Sequence, residues 1–587
     1  MSRRAAVAGG AALFGALRTL PGVAQTPSAS PEATPVASPV ASPVASPAAT
    51  PVPDYPLDIV HATDLADDGT PRQGGTLRLP VRRASLLDFV PTMQRQDPQV
   101  AWSYLDALVR IDSITGLPAP SLARSWAWSD DGLVLTFRLR DDVSWHDGSP
   151  FTAEDARFSH MVYRDDYRSV IAGQSALVSD IAAVDDTTLR VEFSEPDGAW
   201  LFNVASLPVF QRAQYLEWWE GNPVGERTLE GIAFEGVTPV GTGPWVIEEV
   251  RSDLIALARN PDYFDTPPHA DRLELVPVDD QAERIERWRG GEIHAVGNLQ
   301  PSRVEELLYD EGRLIVSDAP RALFAAFNFD NVGRWEPNLL ADPVVREAVS
   351  LALDRERYAE EIWGGFLRHD RAGIVPQTWV GDASPRNPAQ DVDRARELME
   401  EAGWADTTGD GILESPAGDA FVLTALVLEP AAPEVVATLE AMHADLRDIG
   451  GGVAINVVPR DRFVTWYSKE RTWDLVVYDL RLYPAFAEFD LLGSAWDIRT
   501  NPGGWNPGGY SNPDADAALE AYFAAVEVDE MADALADLQE AITEDPFALW
   551  LGYPQDLTLL APQVRGFVPN PIWSTLDTRL MWLDEGD

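Results

Sequence analysis

Cysteine is absent from the 587-residue chain, which excludes disulfides, thiolate metal sites, a cysteine nucleophile and a thioether-linked lipid anchor. Lysine occurs once, at Lys469, and no glycine precedes it between Val464 and Ser468. A phosphate-binding loop of the Gly-Lys-Ser/Thr type therefore has no place in the chain. Positive charge is scarce: 45 Lys and Arg stand against 94 Asp and Glu, a net charge of -49. A polyanion would meet no basic stripe, so nucleic acid is excluded as a partner. The histidines, at 61, 146, 160, 269, 294, 369 and 443, form no pair at helical ligand spacing, and no Gly-x-Ser-x-Gly elbow occurs. Neither a zinc centre nor a hydrolase nucleophile is indicated, and no metal or cofactor is expected. What is abundant is apolar and aromatic residues, 45% hydrophobic with 20 Trp, enough for several cores in a chain too long for one.

The N-terminus reads as an address. Arg3 and Arg4 precede a small-residue apolar run from Ala5 to Leu17, and Gly22-Val23-Ala24 resembles a small-x-small cleavage site, so residues 1–24 are an export signal. Twin-arginine and ordinary secretion both fit it. From Gln25 the composition collapses to Ala, Ser, Pro, Thr and Val, with Val-Ala-Ser-Pro repeated from Val36 to Pro47. Such a segment cannot bury a core, and residues 25–73 are assigned as an extended spacer.

Strand and helix signals then follow each other. Gly74 to Pro80 is a short strand; Gln99 to Ile111, with Val100, Tyr104, Leu105, Leu108 and Val109, has helical spacing. Val134 to Arg140 is a half-buried strand after the Asp131-Gly132 turn, and Asp147-Gly148 turns the chain towards a helix capped by Thr152. Pro320 to Asn331 is too continuously apolar for a half-exposed strand, so both its faces should be covered. Asp342 and Pro343 open a helix directly after it. From Phe421 to Tyr478 strand and helix alternate, which predicts a mainly parallel sheet. Asp406-Thr407-Thr408-Gly409-Asp410-Gly411, with Glu414, looks like half a calcium loop, but Ala417 stands where a bidentate Glu is needed, and a glycine turn is the better reading.

Three stretches carry a family resemblance: Ser121-Leu122-Ala123-Arg124-Ser125-Trp126; Asp131-Gly132-Leu133 with Leu135-Thr136-Phe137-Arg138-Leu139-Arg140; and Val143-Ser144-Trp145-His146-Asp147-Gly148-Ser149-Pro150-Phe151-Thr152-Ala153-Glu154-Asp155. In this order they resemble the signature of the extracellular solute-binding proteins that serve dipeptide, oligopeptide and nickel ABC importers. Gly241-Thr242-Gly243-Pro244-Trp245, the helices around Val345 to Arg355 and Ala395 to Trp404, and the closing segment Gln563 to Asn570 are similar to the same family. The resemblance implies an α/β, two-lobed periplasmic-binding-protein fold with a hinge and an extra subdomain in the first lobe. It covers roughly Gly74 to Leu583. The first lobe is expected over 74–319, with the subdomain near 112–238 and a return at 547–587, and the second lobe over 320–546. The crossings would be Pro320 to Asn331 and the neighbourhood of Pro546.

The resemblance further implies a receptor, not an enzyme, that captures a small solute such as a peptide outside the cytoplasm. It would hand the solute to a membrane permease driven by cytoplasmic ATPase subunits. His146 and Asp147 are accordingly read as turn residues. Tyr483, Trp496, Trp505, Asn506 and Tyr510 crowd a Pro/Gly-rich, poorly periodic stretch, the composition of a ligand wall. The candidate ligand-binding residues are Trp102, Tyr104, Asn328, Tyr483, Glu488, Asp490, Trp496, Trp505 and Asn506, with the cleft expected over Phe324 to Asn328. Peptide-binding relatives commonly carry Asp-Pro after the Tyr-Pro of this loop as an ammonium anchor; here Ala485-Phe486-Ala487 follows Tyr483-Pro484, leaving Glu488 or Asp490 as substitutes. A secreted carbohydrate-active hydrolase is the alternative that the Trp count and acidity tolerate, and a ligand sensor is a third.

Overall fold

The computed structural model describes residues 56–65, 68–83, 97–113, 115–169, 171–229, 238–329, 338–373, 385–481, 491–501, 504–570 and 575–584. Residues 1–24, expected to be an export signal, most of the expected spacer, and Tyr483, Glu488 and Asp490 lie outside them. Two lobes are built on separate sheets. The first lobe has one four-stranded sheet in the order Leu57–His61, Gly312–Ser317, Asp556–Leu560, Ala295–Val296. A second runs Thr76–Val81, Arg272–Pro277, Leu254–Arg259, Trp245–Arg251. An antiparallel four-stranded subdomain, from Ala123–Trp128 to Thr188–Phe193, sits on it. The second lobe has one six-stranded sheet in the order Leu367–Arg368, Ala548–Pro554, Arg321–Phe327, Leu475–Arg481, Val422–Leu428, Gly452–Val458.

The chain passes between lobes along two adjacent antiparallel ribbons. Gly312–Ser317 pairs with Asp556–Leu560 in the first lobe; three residues later Arg321–Phe327 pairs with Ala548–Pro554 in the second. Across the break Gln555 Nε2 donates to Asp318 Oδ1 at 2.7 Å. The inbound strand Arg321–Phe327 is covered on both faces. Ala322, Phe324 and Ala326 enter one hydrophobic core and Leu323, Ala325 and Phe327 the other, as the two-residue period of a strand dictates.

Four expectations are corrected. Leu57–His61, assigned to the spacer, is a strand pairing in parallel with Gly312–Ser317, because its backbone completes the edge of the first-lobe sheet. The helix expected to Ile111 is Pro98–Tyr104; Leu105 is extended at φ -117, ψ 156, and the wholly buried Leu105 to Val109 lies between lobe and subdomain. There the Tyr104 carbonyl accepts from Gly243 N–H at 2.9 Å instead of closing another helical turn. The second-lobe sheet is mixed: Val422–Leu428 pairs in parallel with both neighbours, but Arg321–Phe327 is antiparallel to both of its own. One strand enters the lobe and its neighbour leaves it, so those two must run oppositely. The outward crossing lies at Gln555, not near Pro546, since Ala548–Pro554 is hydrogen-bonded into the second-lobe sheet.

The signature residues prove to be connectors. Thr152 caps Ala153–Asp165 with Asp155 in a reciprocal capping box. Asp155 also accepts from Trp145 Nε1 and from the Arg212 N–H. His146 and Asp147 do not bond each other: His146 engages the Gly243 carbonyl and the Gly241 N–H, tying the subdomain to the return loop, while Asp147 accepts from Ser149 and Gln211. A Cβ at Gly241 would lie 1.6 Å from the Tyr104 carbonyl oxygen, which is why the Gly-Thr-Gly turn tolerates no side chain there.

Candidate ligand-binding cleft

The site is built where the crossings leave the first lobe. Arg481, ending Leu475–Arg481 of the second lobe, forks onto Asp556, the first residue of the first-lobe strand, at 2.6 and 2.7 Å. The same guanidinium reaches Asn298 Oδ1 at 3.4 Å. Asn298 has φ +52, a left-handed backbone that asparagine tolerates better than most residues. One strand over, Arg321 pairs with Asp479 at 2.6 Å; burial opposes the arginine's charge, but the carboxylate outweighs it and raises the pKa. Beside the Arg481–Asp556 pair is a cavity of about 100 Å³ in the first lobe, with Asp97, Arg284, Asn298, Ser317, Asp556 and Thr558 in its wall. Over Phe324 to Asn328, where the cleft is expected, both faces of the strand are already buried.

The lobes also touch far from the crossings. Gly198, in the subdomain, meets Ala525 at the end of the second-lobe helix Pro513–Ala524 so closely that a Cβ would lie 1.8 Å from the Ala525 carbonyl oxygen. Ser302 N–H donates to Glu434 Oε1 at 2.8 Å at another interlobe point. Gly198 and Ser302 thus add two interlobe contacts to those at the crossings.

Most of the predicted site residues that are described serve the scaffold. Tyr104 is fully buried under Gly241 and Gly243. Asn328 is fully buried; its amide donates to the Trp473 carbonyl at 2.8 Å and the Arg471 carbonyl at 3.2 Å, and its carbonyl accepts from Asn338. Asn506 closes its loop through Gly493 O, Tyr510 O and the Tyr510 N–H, and Trp496 is buried beside Gly493. Phe329 N–H donates to Gly508 O at 2.7 Å, so the structure does bring the aromatic loop over the end of the inbound strand, but as a cover. Such buried side chains present no surface to a ligand. Trp102 and Trp505 remain half-buried. Sequence reasoning missed Asp97, Arg284, Asn298, Arg481 and Asp556; the only local signal was Gly297-Asn298, readable as a turn and nothing more.

In the Asp406 loop the Asp406, Asp410 and Glu414 oxygens lie within 4.8 Å of one another. Asp406 accepts from the Gly409 and Gly411 N–H groups, and Glu414 from Thr407 and Thr408, so each of these two carboxylates shapes the turn.

Residues 118–489 match the family described as bacterial extracellular solute-binding proteins, family 5. The chain belongs to this family. As a family-5 solute-binding protein it is 28% identical over 372 residues to an ABC transporter peptide-binding protein of Brucella ovis, a match covering 61% of this chain and 63% of the relative. It is 23% identical over 542 residues to the oligopeptide-binding protein AppA of Bacillus subtilis, covering 88% and 93%. Two solved structures share the fold. AppA in complex with a nonapeptide has a TM-score of 0.66 at 22% identity, covering 88% of this chain and all of that one. NikA from Brucella suis in complex with Fe(III)-EDTA has a TM-score of 0.71 at 19% identity, covering 87% of this chain and all of that one. Among the described residues no helix is long and apolar enough to cross a membrane.

Proposed function

We propose that this chain is the extracellular receptor of an ABC importer, binding a small solute, a peptide or related compound, between its lobes and presenting the closed form to a membrane permease whose ATPase subunits act from the cytoplasm. The observation that carries this is the polar cavity at the paired crossings of a family-5 fold. No reaction is required of it. Binding energy favours the closed state in proportion to the ligand's differential affinity for that state, and the permease distinguishes closed from open. Trp102 and Trp505, the half-buried aromatics among the candidates, serve as ligand contacts in this reading. The basic, apolar leader supports export, and the peptide names of the relatives support the solute class.

The test is native mass spectrometry and thermal unfolding of the purified mature chain with mixed di- to hexapeptides. A retained peptide at about a hundred times its Kd should add ~2.7 kcal/mol of stability and reduce the radius of gyration. Turnover of glycosides, with no closure by any peptide, would replace this reading with the hydrolase.

A further inference from the structure

Helix Gln281–Arg289 carries three arginines with different surroundings. Arg287 is held by Glu283 at 2.7 Å, and Arg289 by Asp310 at 2.9 Å and Glu286 at 2.6 Å. Arg284 alone of the three lines the cavity. It makes one hydrogen bond, from Nε to the Val278 carbonyl at 2.7 Å, and its two terminal nitrogens have no partner among the described residues. Burial lowers its pKa from the ordinary arginine value, so the desolvation of this cation is not repaid by a bonded anion.

The carboxylates around Arg284 are all engaged elsewhere. Asp97 accepts from the Gln99 and Arg82 N–H groups and stands 3.8 Å from Arg82 Nε. Asp279 accepts from the Arg83 N–H at 2.8 Å, and Asp556 is taken by Arg481. Asp97 and Asp279 act on Arg284 through space, but neither is bonded to it. The cavity wall next to it adds the hydroxyl-bearing residues Ser317 and Thr558, and hydroxyls can donate to an oxyanion. At about 100 Å³ the space suits an end group, not a whole peptide. With Nε taken by Val278, the edge formed by the two terminal nitrogens is left to match a planar carboxylate, which it can bind bidentately. In a chain of net charge -49, an anion needs a local cation of this kind to enter at all.

We propose that Arg284 is the receptor for a carboxylate of the bound solute, so that this protein selects ligands bearing a free terminal acid and docks that acid in the first-lobe cavity. The assignment rests on the solute-receptor reading above and deepens it.

The experiment compares wild type, Arg284→Gln and Arg284→Lys in native mass spectrometry against two probe mixtures, tripeptides with free C-termini and the same tripeptides as C-terminal amides. Wild type should retain acids over amides by about tenfold to a hundredfold, the range expected for charge-assisted hydrogen bonds. Arg284→Gln should lose that preference while unfolding within a few degrees of wild type, and Arg284→Lys should recover part of it. If wild type holds acids and amides equally, or Arg284→Gln keeps the preference, the carboxylate assignment is overturned while the receptor reading stands. If wild type retains neither mixture, the peptide-receptor reading fails and the assignment falls with it.

Discussion

Arg481 and Asp556 join the two lobes at the point where the chain returns to the first, through two hydrogen bonds of 2.6 and 2.7 Å between side chains only 15% and 12% exposed. A pair this well shielded, with Asn298 as a further acceptor, should couple more strongly than a surface ion pair. A double-mutant cycle with Arg481→Met and Asp556→Asn, read by chemical denaturation, should give a coupling of about 1–3 kcal/mol. A value under about 0.5 kcal/mol would mean that the crossing does not depend on this contact.

Gly198 sets how closely the subdomain approaches the second lobe. A valine there would drive its Cβ into the Ala525 carbonyl, 1.8 Å away. Backbone cannot yield as a flexible side-chain end does, so Gly198→Val should hold the lobes apart. Small-angle scattering with ligand should show a radius of gyration larger than wild type, with weaker binding. An unchanged profile would place the contact outside the closing motion.

Neighbours in the aromatic loop should respond differently. Trp505→Ala should weaken ligand binding and leave thermal unfolding within a few degrees, because Trp505 is half-buried. Asn506→Ala removes three buried hydrogen bonds and should cost ~1–3 kcal/mol of stability per unsatisfied partner at most. Equal effects on affinity from both would move Asn506 back into the ligand wall.

Acid should destabilise the fold through two buried histidines. Burial brings His160 and His294 down to about 4 from 6.5. The unfolded chain therefore binds their protons first as pH falls below about 6.5. Stability conferred by the neutral rings is complete above that value, is lost progressively towards pH 4, and levels off below it, up to ~3 kcal/mol per residue. The slope of unfolding free energy against pH between 4 and 6.5 should shrink in His160→Gln, and in His294→Gln.

Much of the architecture was legible because it depends on local chemistry. Asp342 and Pro343 start a helix wherever they occur in that order, Gly132 and Gly148 turn the chain at φ +67 and +85, and the run from Leu323 to Phe327 announces a strand covered on both faces. The 13-residue signature from Val143 to Asp155 marks the family because so many of its side chains hold one turn and one helix start.

The site was less legible, since burial and ligand contact draw on the same residues. Asn328, Asn506 and Tyr104 have the composition of a binding wall, yet partners beyond their own turns, Trp473, Gly493 and Gly241, turned them inward. Arg284, Arg287 and Arg289 each follow an acid by three or four residues, Asp280, Glu283 and Glu286; the fold uses Asp280 as the helix N-cap, brings Asp310 to Arg289 as well, and leaves Arg284 at a cavity. Sequence by itself determined the family, the caps and turns and the inbound crossing. The mixed strand directions, the return at Gln555 and the place of the cavity came from tertiary structure alone, because each depends on groups far apart in the chain meeting in one sheet, crossing or cavity wall.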